Sequence, residues 1–245
     1  VDHGLRAESS LECEKVKALS VQHGLDHHTL IWHKTSVLGT SQLKARNARY
    51  KLLIDFATKK GIDNIITAHT LDDQIETFIM RLGKGSGLDG LRSIEFKRSI
   101  DNIDIFRPLL GISRKRITEI LEQSDQKWID DPSNQNKKFE RIKIRKNISL
   151  LDNLNLSPSM ISNSIRRLTR SQNAIKELSK VAFEQTVIVN ELGYLSVNRK
   201  KIEKYPEDIV MRVLEQSIKL INGGDHISMS SLESAYHEVF IKKNN

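Results

Sequence analysis

A histidine and several carboxylates fall close together in the sequence TAHTLDDQIET, residues 67–77. His69 ends an apolar run that is typical of a buried strand, and Asp73 and Glu76 follow it at i+4 and i+7. On a helix these spacings place the three side chains on one face. A histidine beside carboxylates at a strand end can hold a substrate or position magnesium, so all three are candidate site residues.

The acids in this stretch also have a structural explanation. Thr70 is a good N-cap for a helix, Asp73 three residues later would complete a capping box, and Asp72 favours the helix dipole. A capping carboxylate can still face the cleft at a strand end. The sequence therefore leaves both interpretations open.

A second candidate lies in the sequence ARNARY, residues 45–50, on a segment with helical periodicity. The planar guanidinium of Arg49 can clamp a phosphate or a carboxylate with two parallel hydrogen bonds. The plainer alternative is a solvated basic helix face, since arginine is mostly exposed in proteins.

The sequence GKGSGLDG, residues 83–90, has the glycines that tight turns and close approach to an anion require. It follows a helix instead of a strand and lacks the lysine–serine ending of a phosphate-binding P-loop. A structural or RNA-facing loop is therefore favoured over a phosphate cradle.

Basic residues are concentrated in KKFERIKIRKN, residues 137–147, which has six basic residues and one acid. On a helix, Lys138, Arg141 and Arg145 would form a cationic stripe. With a net charge of +8 and a pI near 9.5, such clusters favour a polyanionic partner, although solvated faces are the commoner explanation. A second basic cluster comprises Arg166, Arg167, Arg170, Lys176 and Lys180.

Aromatic residues make up 5% of the chain, which argues against a stacking platform for single strands. A folded RNA that is recognised by shape, with one or two extruded bases, fits the basic clusters better. The single cysteine, Cys13, cannot form an internal disulfide or supply a metal–thiolate site alone. No apolar stretch reaches the roughly 20 residues that span a membrane, so we expect a cytoplasmic protein without a membrane partner.

Apolar runs and helical periodicities alternate along the first part of the chain, which predicts an α/β fold with a parallel sheet flanked by helices. Ligands of such sheets bind beyond the carboxyl ends of the strands, where His69 falls. From about residue 149 the pattern is helical almost throughout, which predicts a domain 1–150 followed by a smaller, mainly helical domain 151–245. The predicted elements are helix 9–23, strand 29–32, helix 40–60, strand 64–68, helix 70–82, strand 104–109, helix 113–123 and helix 230–240.

Seven ordered motifs between residues 1 and 145 resemble the tRNA(Ile)-lysidine synthetase family of PP-loop ATPases. They are VDHGLR, ARNARY, TAHTLDDQIET, GSGLDGL, RPLL, WIDDPSN and RIKIR. The resemblance implies an adenine nucleotide alpha hydrolase-like fold, incomplete at the N-terminus, with ATP and Mg²⁺ as cofactors. It also implies adenylation of the C2 oxygen of the wobble cytidine of tRNA(Ile) with a CAU anticodon. Free L-lysine then displaces AMP to form lysidine.

The resemblance also assigns roles to residues. His69, Asp73 and Arg49 match catalytic positions, with His69 on the nucleotide or adenylated base and the other two on lysine or magnesium. ATP and magnesium would be bound by His69, Asp73 and Glu76, with Asp73 as the metal ligand. The tRNA-binding residues would be Lys138, Arg141, Lys143, Arg145, Arg166, Arg167 and Arg170.

Two departures from the family pattern stand out. The family's Ser-Gly-Gly-x-Asp-Ser type loop does not occur in these 245 residues, and its RNRIR motif is RIKIR here. Without the backbone N–H groups of that loop we expect this polypeptide alone to form no lysidine. A non-catalytic tRNA-binding remnant and another ATP-dependent tRNA-modifying enzyme, such as a thiolase, are the alternatives, and a homodimer is among the assemblies left open.

Overall fold

The computed structural model describes residues 1–2, 9–32, 42–129, 140–152, 155–224 and 227–242. The chain divides into two compact units, Val1–Asn163 and Ser164–Asn245. The predicted domain boundary between residues 150 and 151 stays a prediction. Lys138, most of the VDHGLR motif and residues 130–134 of WIDDPSN lie outside the described residues.

The first unit contains both helices and strands, as the periodicity predicts. Its elements are α1 Ser9–Gln22, α2 Gln42–Lys60, β1 Asn64–Ile66, α3 Leu71–Gly83, α4 Leu88–Leu91, β2 Lys97–Ile100, β3 Ile103–Phe106, a 3₁₀ turn Pro108–Gly111, α5 Arg114–Gln123 and α6 Glu140–Asp152. Helix α7, Pro158–Thr186, begins in this unit and continues into the second.

Within the described residues, these strands form one sheet in the order β1–β3–β2. β1 pairs with β3 in parallel, and β2 pairs with β3 antiparallel. The α/β class is confirmed, but β2 was not predicted because KRSI has a single apolar residue. Near the N-terminus, Asp2 makes a parallel bridge to Ile31, in the segment predicted as the strand 29–32.

The two faces of the sheet differ in character because side chains alternate along a strand. Ile103, Ile105 and Arg107 share the face that α2 covers, where Ile54 and Ala57 pack against Ile103 in a small buried cluster. This packing fixes the N-terminal half of α2 beside the carboxyl ends of β1 and β3.

The opposite face of the sheet is polar and aromatic. The Lys97 Nζ lies 2.6 Å from Asp104 Oδ2 and 5.4 Å from the centre of the Phe106 ring. Ser99 donates a further hydrogen bond to Asp104 Oδ1 at 2.6 Å. These bonds lower the pKa of Asp104, and the bond from Lys97 has the larger effect.

The glycine-rich segment 83–90 is fastened to α3 and ends in the single turn of α4. Arg81 Nη1 donates to the carbonyl oxygens of Gly90 at 2.6 Å and Ser93 at 2.9 Å. Gln74 pairs with both backbone groups of Ile94 at 2.8 Å. Four hydrogen bonds from α3 therefore hold the segment 83–94, which supports the structural interpretation of this loop.

Replacing Gly90 with alanine is expected to destabilise the first unit by about 1–3 kcal/mol, the usual cost of overpacking. A Cβ at this position would lie 2.5 Å from the Cβ of Ser86. The Ser86 Cβ is bonded directly to the backbone, so a change of side-chain rotamer cannot move it away. Gly87→Ala is the matched control, because nothing lies within 4 Å of its Cβ. Urea unfolding of both variants checks this, and equal stabilities would contradict it. Adding Ser86→Gly should restore most of the loss.

The second unit contains the rest of α7, β4 Val187–Val189, β5 Leu195–Val197, α8 Arg199–Ile202, α9 Glu207–Ile221, α10 Met229–Tyr236 and a π-helical turn His237–Ile241. Its core is a cluster of buried apolar residues, Ala182, Val187, Ile202, Ile209, Val210, Val213 and Phe240. The mainly helical character of this unit is confirmed, but the strand pair between α7 and α8 was not predicted. The β-branched run at 187–189 forms an antiparallel hairpin that turns through Gly193 at φ +85°.

No helix in the described part of the chain combines the length and the apolar character that crossing a membrane requires.

Candidate functional site

The junction between β1 and α3 positions His69 at the carboxyl end of the sheet. Thr67 continues the strand direction and donates its N–H to the Phe106 carbonyl at 2.9 Å. Thr70 is extended at φ −108° and is the N-cap of α3, so His69 lies in the connection before the helix. The helical spacing predicted for His69, Asp73 and Glu76 therefore holds only for the two acids.

Asp73 caps its own helix. Its Oδ2 accepts the Thr70 backbone N–H at 2.8 Å and the Thr70 hydroxyl at 2.9 Å. Asp72 Oδ2 accepts the backbone N–H of Arg114 at 2.7 Å, which satisfies a donor in the first turn of α5. The capping interpretation of Asp73 is thus confirmed. The capping position also brings Asp73 near His69. The charge of its carboxylate therefore acts to raise the pKa of that histidine.

The surroundings of His69 favour its neutral form. Its Nδ1 lies 3.0 Å from the Thr67 hydroxyl oxygen. Burial lowers the pKa of His69 below its usual value of 6.5, and the cations Arg107, Arg46 and Arg141 lower it further against the opposing charge of Asp73. Since protonation is disfavoured, the imidazole can accept or relay a proton near neutral pH.

Three arginines from three parts of the first unit, Arg46, Arg107 and Arg141, act on this histidine. Burial lowers the pKa of Arg46, and the neighbouring charges of Arg141, Arg107 and Arg49 lower it further, against Tyr50. Because these cations repel one another, the region is receptive to an anion. Arg49, the predicted clamp, lies on an exposed part of α2.

Arg107 is the most buried of these cations, with 3% of its surface exposed. Its Nη1 donates to the Glu95 carbonyl at 2.8 Å, and its backbone N–H donates to the Phe96 carbonyl at 2.9 Å. Its Nε is buried and has no hydrogen-bond partner among the described residues. A buried arginine held by backbone groups supplies a fixed positive charge at the carboxyl end of β3.

Glu76 and Arg145 form an ion pair that joins α3 to α6. Arg145 Nε donates to Glu76 Oε1 at 2.7 Å, and Glu76 is 1% exposed. Burial acts to lower the pKa of Arg145, but the hydrogen bond and charge of Glu76 outweigh it and the pKa is raised. The pair holds the helix that carries Arg141 against the helix that follows His69.

The other predicted tRNA-binding residues differ in how exposed their side chains are. Arg141 is half-buried, and Lys143 is exposed on α6. Arg166, Arg167 and Arg170 are exposed on α7, in the second unit. For Arg145 the structure shows the ion pair with Glu76, and its contact with tRNA stays a prediction like those of the rest.

Two of the three acids of α3, Asp72 and Glu76, are engaged with other parts of the protein. Asp72 is bonded to the backbone of α5, Glu76 is paired with Arg145, and Asp73 is the capping carboxylate. Among the described residues, no group of three His, Cys, Asp or Glu could hold a metal ion. Magnesium is commonly held by one or two carboxylates together with substrate phosphates, and Asp73 would suit that arrangement.

Sequence reasoning missed the contributions of Arg107, Arg46 and Thr67. Arg107 carried a signal, because an arginine directly after a buried strand and before a proline marks the strand end. Thr67 had none beyond its place two residues before His69. Arg46 was visible one helical turn before Arg49, but its position relative to Arg107 depends on how α2 packs on the sheet.

Comparisons with known proteins show the family of the chain. The family model for the PP-loop domain matches residues 1–151. The chain is 35% identical to a tRNA(Ile)-lysidine synthase of Wolbachia pipientis wMel, covering 100% of this chain and 57% of that protein. It is 33% identical to a tRNA(Ile)-lysidine synthase of Methylobacterium nodulans, covering 92% of this chain and 67% of that protein. The chain thus spans just over half the length of the Wolbachia relative.

A solved structure has the same fold. It is the U34-tRNA thiolase NcsA from Methanococcus maripaludis with its [4Fe-4S] cluster, at a TM-score of 0.56 and 16% sequence identity. The likeness covers 68% of this chain and 59% of that one. At this identity it concerns the fold alone.

Proposed function

Because the chain belongs to the tRNA(Ile)-lysidine synthetase family of PP-loop proteins, we propose that it acts in the ATP-dependent formation of lysidine in tRNA(Ile). The observation that carries this proposal is His69 at the carboxyl end of the sheet, 3.0 Å from the Thr67 hydroxyl and under the charges of Arg46, Arg107 and Arg141. The proposed reaction needs positive charge to bind a polyanion there, and it needs a group that gives or takes a proton.

The proposed reaction has two steps. In the first, the C2 oxygen of the wobble cytidine attacks the α-phosphorus of ATP, an O–P bond forms, and diphosphate leaves. In the second, an amine of lysine attacks C2, a C–N bond forms, and the C2–O bond breaks to release AMP. The amine loses a proton in this step, which a neutral imidazole can accept.

The cations would serve both steps by holding phosphate oxygens. Arg107 is fixed by backbone groups and Arg46 by its guanidinium 5.2 Å from the Tyr50 ring centre, so neither needs to be reordered when an anion binds. Arg49 and Asp73 would recognise lysine through its carboxylate and its ammonium. Asp73 would also contribute to magnesium bound through ATP phosphates, which would supply charge neutralisation.

The tRNA would approach from the side of α6. Lys143 is exposed on this helix, and the charge of Arg141 on the same helix lowers the pKa of His69. We extend the proposal to a CAU anticodon, whose wobble cytidine is the base to be modified, and to the cytoplasm, where tRNA is processed. Lys138, Arg145, Arg166, Arg167 and Arg170 would add phosphate contacts.

The test is incorporation of labelled lysine into a tRNA(Ile) transcript by the product of the complete reading frame that contains these 245 residues. We expect incorporation that needs ATP and that disappears when the wobble cytidine is replaced by uridine. Binding of the tRNA without incorporation would contradict the proposal and favour a non-catalytic binding protein. Incorporation of sulfur instead would favour a thiolase.

The thiolase alternative is supported less well. Its basis is a structural neighbour that is 16% identical, and that neighbour carries a [4Fe-4S] cluster. The 245 residues contain one cysteine, Cys13, which is partly buried in α1. One thiolate is insufficient to hold a cluster of that kind.

A further inference from the structure

The side chain of Gln74 is buried near the start of α3, directly after Asp73. Its Nε2 donates to the Ile94 carbonyl at 2.8 Å, and its Oε1 accepts the Ile94 N–H at 2.8 Å. The amide thus satisfies both backbone groups of Ile94, as a neighbouring strand does in a sheet. Gln74 therefore fixes the backbone at Ile94 against the helix that follows His69.

The two residues after Ile94 hold Arg107. The Glu95 carbonyl accepts a hydrogen bond from Arg107 Nη1 at 2.8 Å, and the Phe96 carbonyl accepts the Arg107 backbone N–H at 2.9 Å. Residues 94–96, which we call the strap, lie outside the helices and strands of the first unit. The strap therefore joins the buried amide of Gln74 to the buried guanidinium of Arg107.

Arg107 is also connected to His69 through the sheet. The carbonyl of Phe106, the residue before Arg107, accepts the Thr67 N–H at 2.9 Å. The Thr67 hydroxyl oxygen in turn lies 3.0 Å from His69 Nδ1. The backbones of His69 and Arg107 are thus fixed by the ends of two paired strands, whereas the guanidinium of Arg107 is oriented by the strap.

A purely structural role of Gln74 is the plainer alternative, because a buried amide with satisfied hydrogen bonds stabilises any loop. The preceding chain already has an anchor of its own. Arg81 Nη1 donates to the carbonyl oxygens of Gly90 and Ser93 at 2.6 and 2.9 Å. Gln74 acts one residue further on, directly before the residues that hold Arg107, which favours a role in placing that arginine.

We propose that Gln74 is a positioning residue of the site, which fixes the guanidinium of Arg107 relative to His69 through the backbone of the strap. The reaction that the site performs rests on the proposed function, whereas the coupling of Gln74 to Arg107 does not. Loss of the amide leaves the charge of Arg107 in the protein and allows its guanidinium to reorient. A misplaced charge slows the chemical step more than it weakens substrate binding.

The first experiment follows the guanidinium of Arg107 by NMR in the product of the complete reading frame, prepared with isotopically labelled arginine. Arg107→Lys identifies the Nε signal by its loss. Gln74→Met keeps the length of the side chain and removes both hydrogen bonds, and it is expected to speed exchange of the Arg107 Nε proton about fivefold, the factor for one lost hydrogen bond. Ile75→Val is the matched control, because it removes a buried methyl group of α3 and keeps the bonds to the strap. It should leave this signal unchanged.

The second experiment is a double-mutant cycle on the rate of lysidine formation. Gln74→Met is expected to lower kcat about tenfold and to change the KM for ATP less than about twofold. In the Arg107→Lys background, which already lacks the planar guanidinium, Gln74→Met should lower kcat by less than about twofold. A structural role independent of Arg107 would lower kcat by the same factor in both backgrounds.

An unchanged Arg107 signal in Gln74→Met, or equal losses of kcat in the two backgrounds, would overturn the proposal. If Gln74→Met does not fold, Gln74→Asn takes its place, because it keeps an amide that is one carbon shorter. It should speed proton exchange at Arg107 in the same direction by a smaller factor. A product that forms no lysidine loses the proposed function, and the NMR comparison then decides the coupling of Gln74 to Arg107 by itself.

Discussion

Replacing Arg145 with methionine is expected to lower the free energy of unfolding by about 3 kcal/mol, because it leaves a buried carboxylate without its cation. Glu76 is 1% exposed, and its Oε2 already has no partner among the described residues. The methionine keeps most of the aliphatic length of Arg145, so the loss reports the charge and hydrogen bond and not the packing. Urea unfolding followed by circular dichroism measures it.

Replacing the other member of the ion pair should lower the free energy of unfolding much less. Glu76→Gln keeps a hydrogen-bond acceptor, and the side chain of Arg145 is 31% exposed and can recover hydration. We expect a loss of about 1 kcal/mol. The double variant should be more stable than Arg145→Met alone, since it no longer buries an unpaired charge. Equal losses in the two single variants would show that the pair is not buried as described.

Exchange of backbone amide hydrogens would locate the effect. The ion pair connects α3 and α6, so Arg145→Met should speed exchange in these two helices more than in α9 of the second unit. Arg116→Met is a suitable control, because Arg116 pairs with Glu119 within α5 at 3.2 Å and both are exposed. It should change stability by less than about 0.5 kcal/mol.

The strand–helix junction was predictable because its signals are local. Thr70, Asp73 and the preceding apolar run mark a strand end and a helix start within ten residues. The capping bonds at 2.8 and 2.9 Å are those that the spacing predicts. The role of Asp73 as a helix cap was thus visible in the sequence beside its proposed role in binding.

The partners that come from distant parts of the chain were not predictable. Arg145 and Glu76 are 69 residues apart, and on sequence grounds one was placed on tRNA and the other on ATP and magnesium. Helical periodicity says which residues share a face but not which helix that face meets. The same reason hides the relation of Arg107 to Arg46, which depends on the packing of α2 against the sheet.

His69→Ala is expected to lower the rate of lysidine formation about 100-fold or more, the usual contribution of a positioned proton-transfer group. Thr67→Val removes the hydroxyl 3.0 Å from His69 Nδ1 and should lower the rate less, because it disturbs orientation and leaves the imidazole. Both are measured with the product of the complete reading frame. His237→Ala, at an exposed histidine of the second unit, is the control and should leave the rate unchanged. An unaffected rate in His69→Ala would exclude His69 as a catalytic residue.

The pH profile provides the more specific test, because His69 must be neutral to accept a proton. Its pKa lies below 6.5, so activity should persist below that pH and fall as the pH drops through the folded value. Arg141→Gln removes a cation that disfavours protonation, which raises the pKa of His69. The acid-side fall should then begin at a higher pH, independently of any loss in tRNA affinity. Lys143→Gln changes the same charge on the exposed side of α6 and should move the profile less. An unmoved profile in Arg141→Gln would show that His69 does not govern the acid limb.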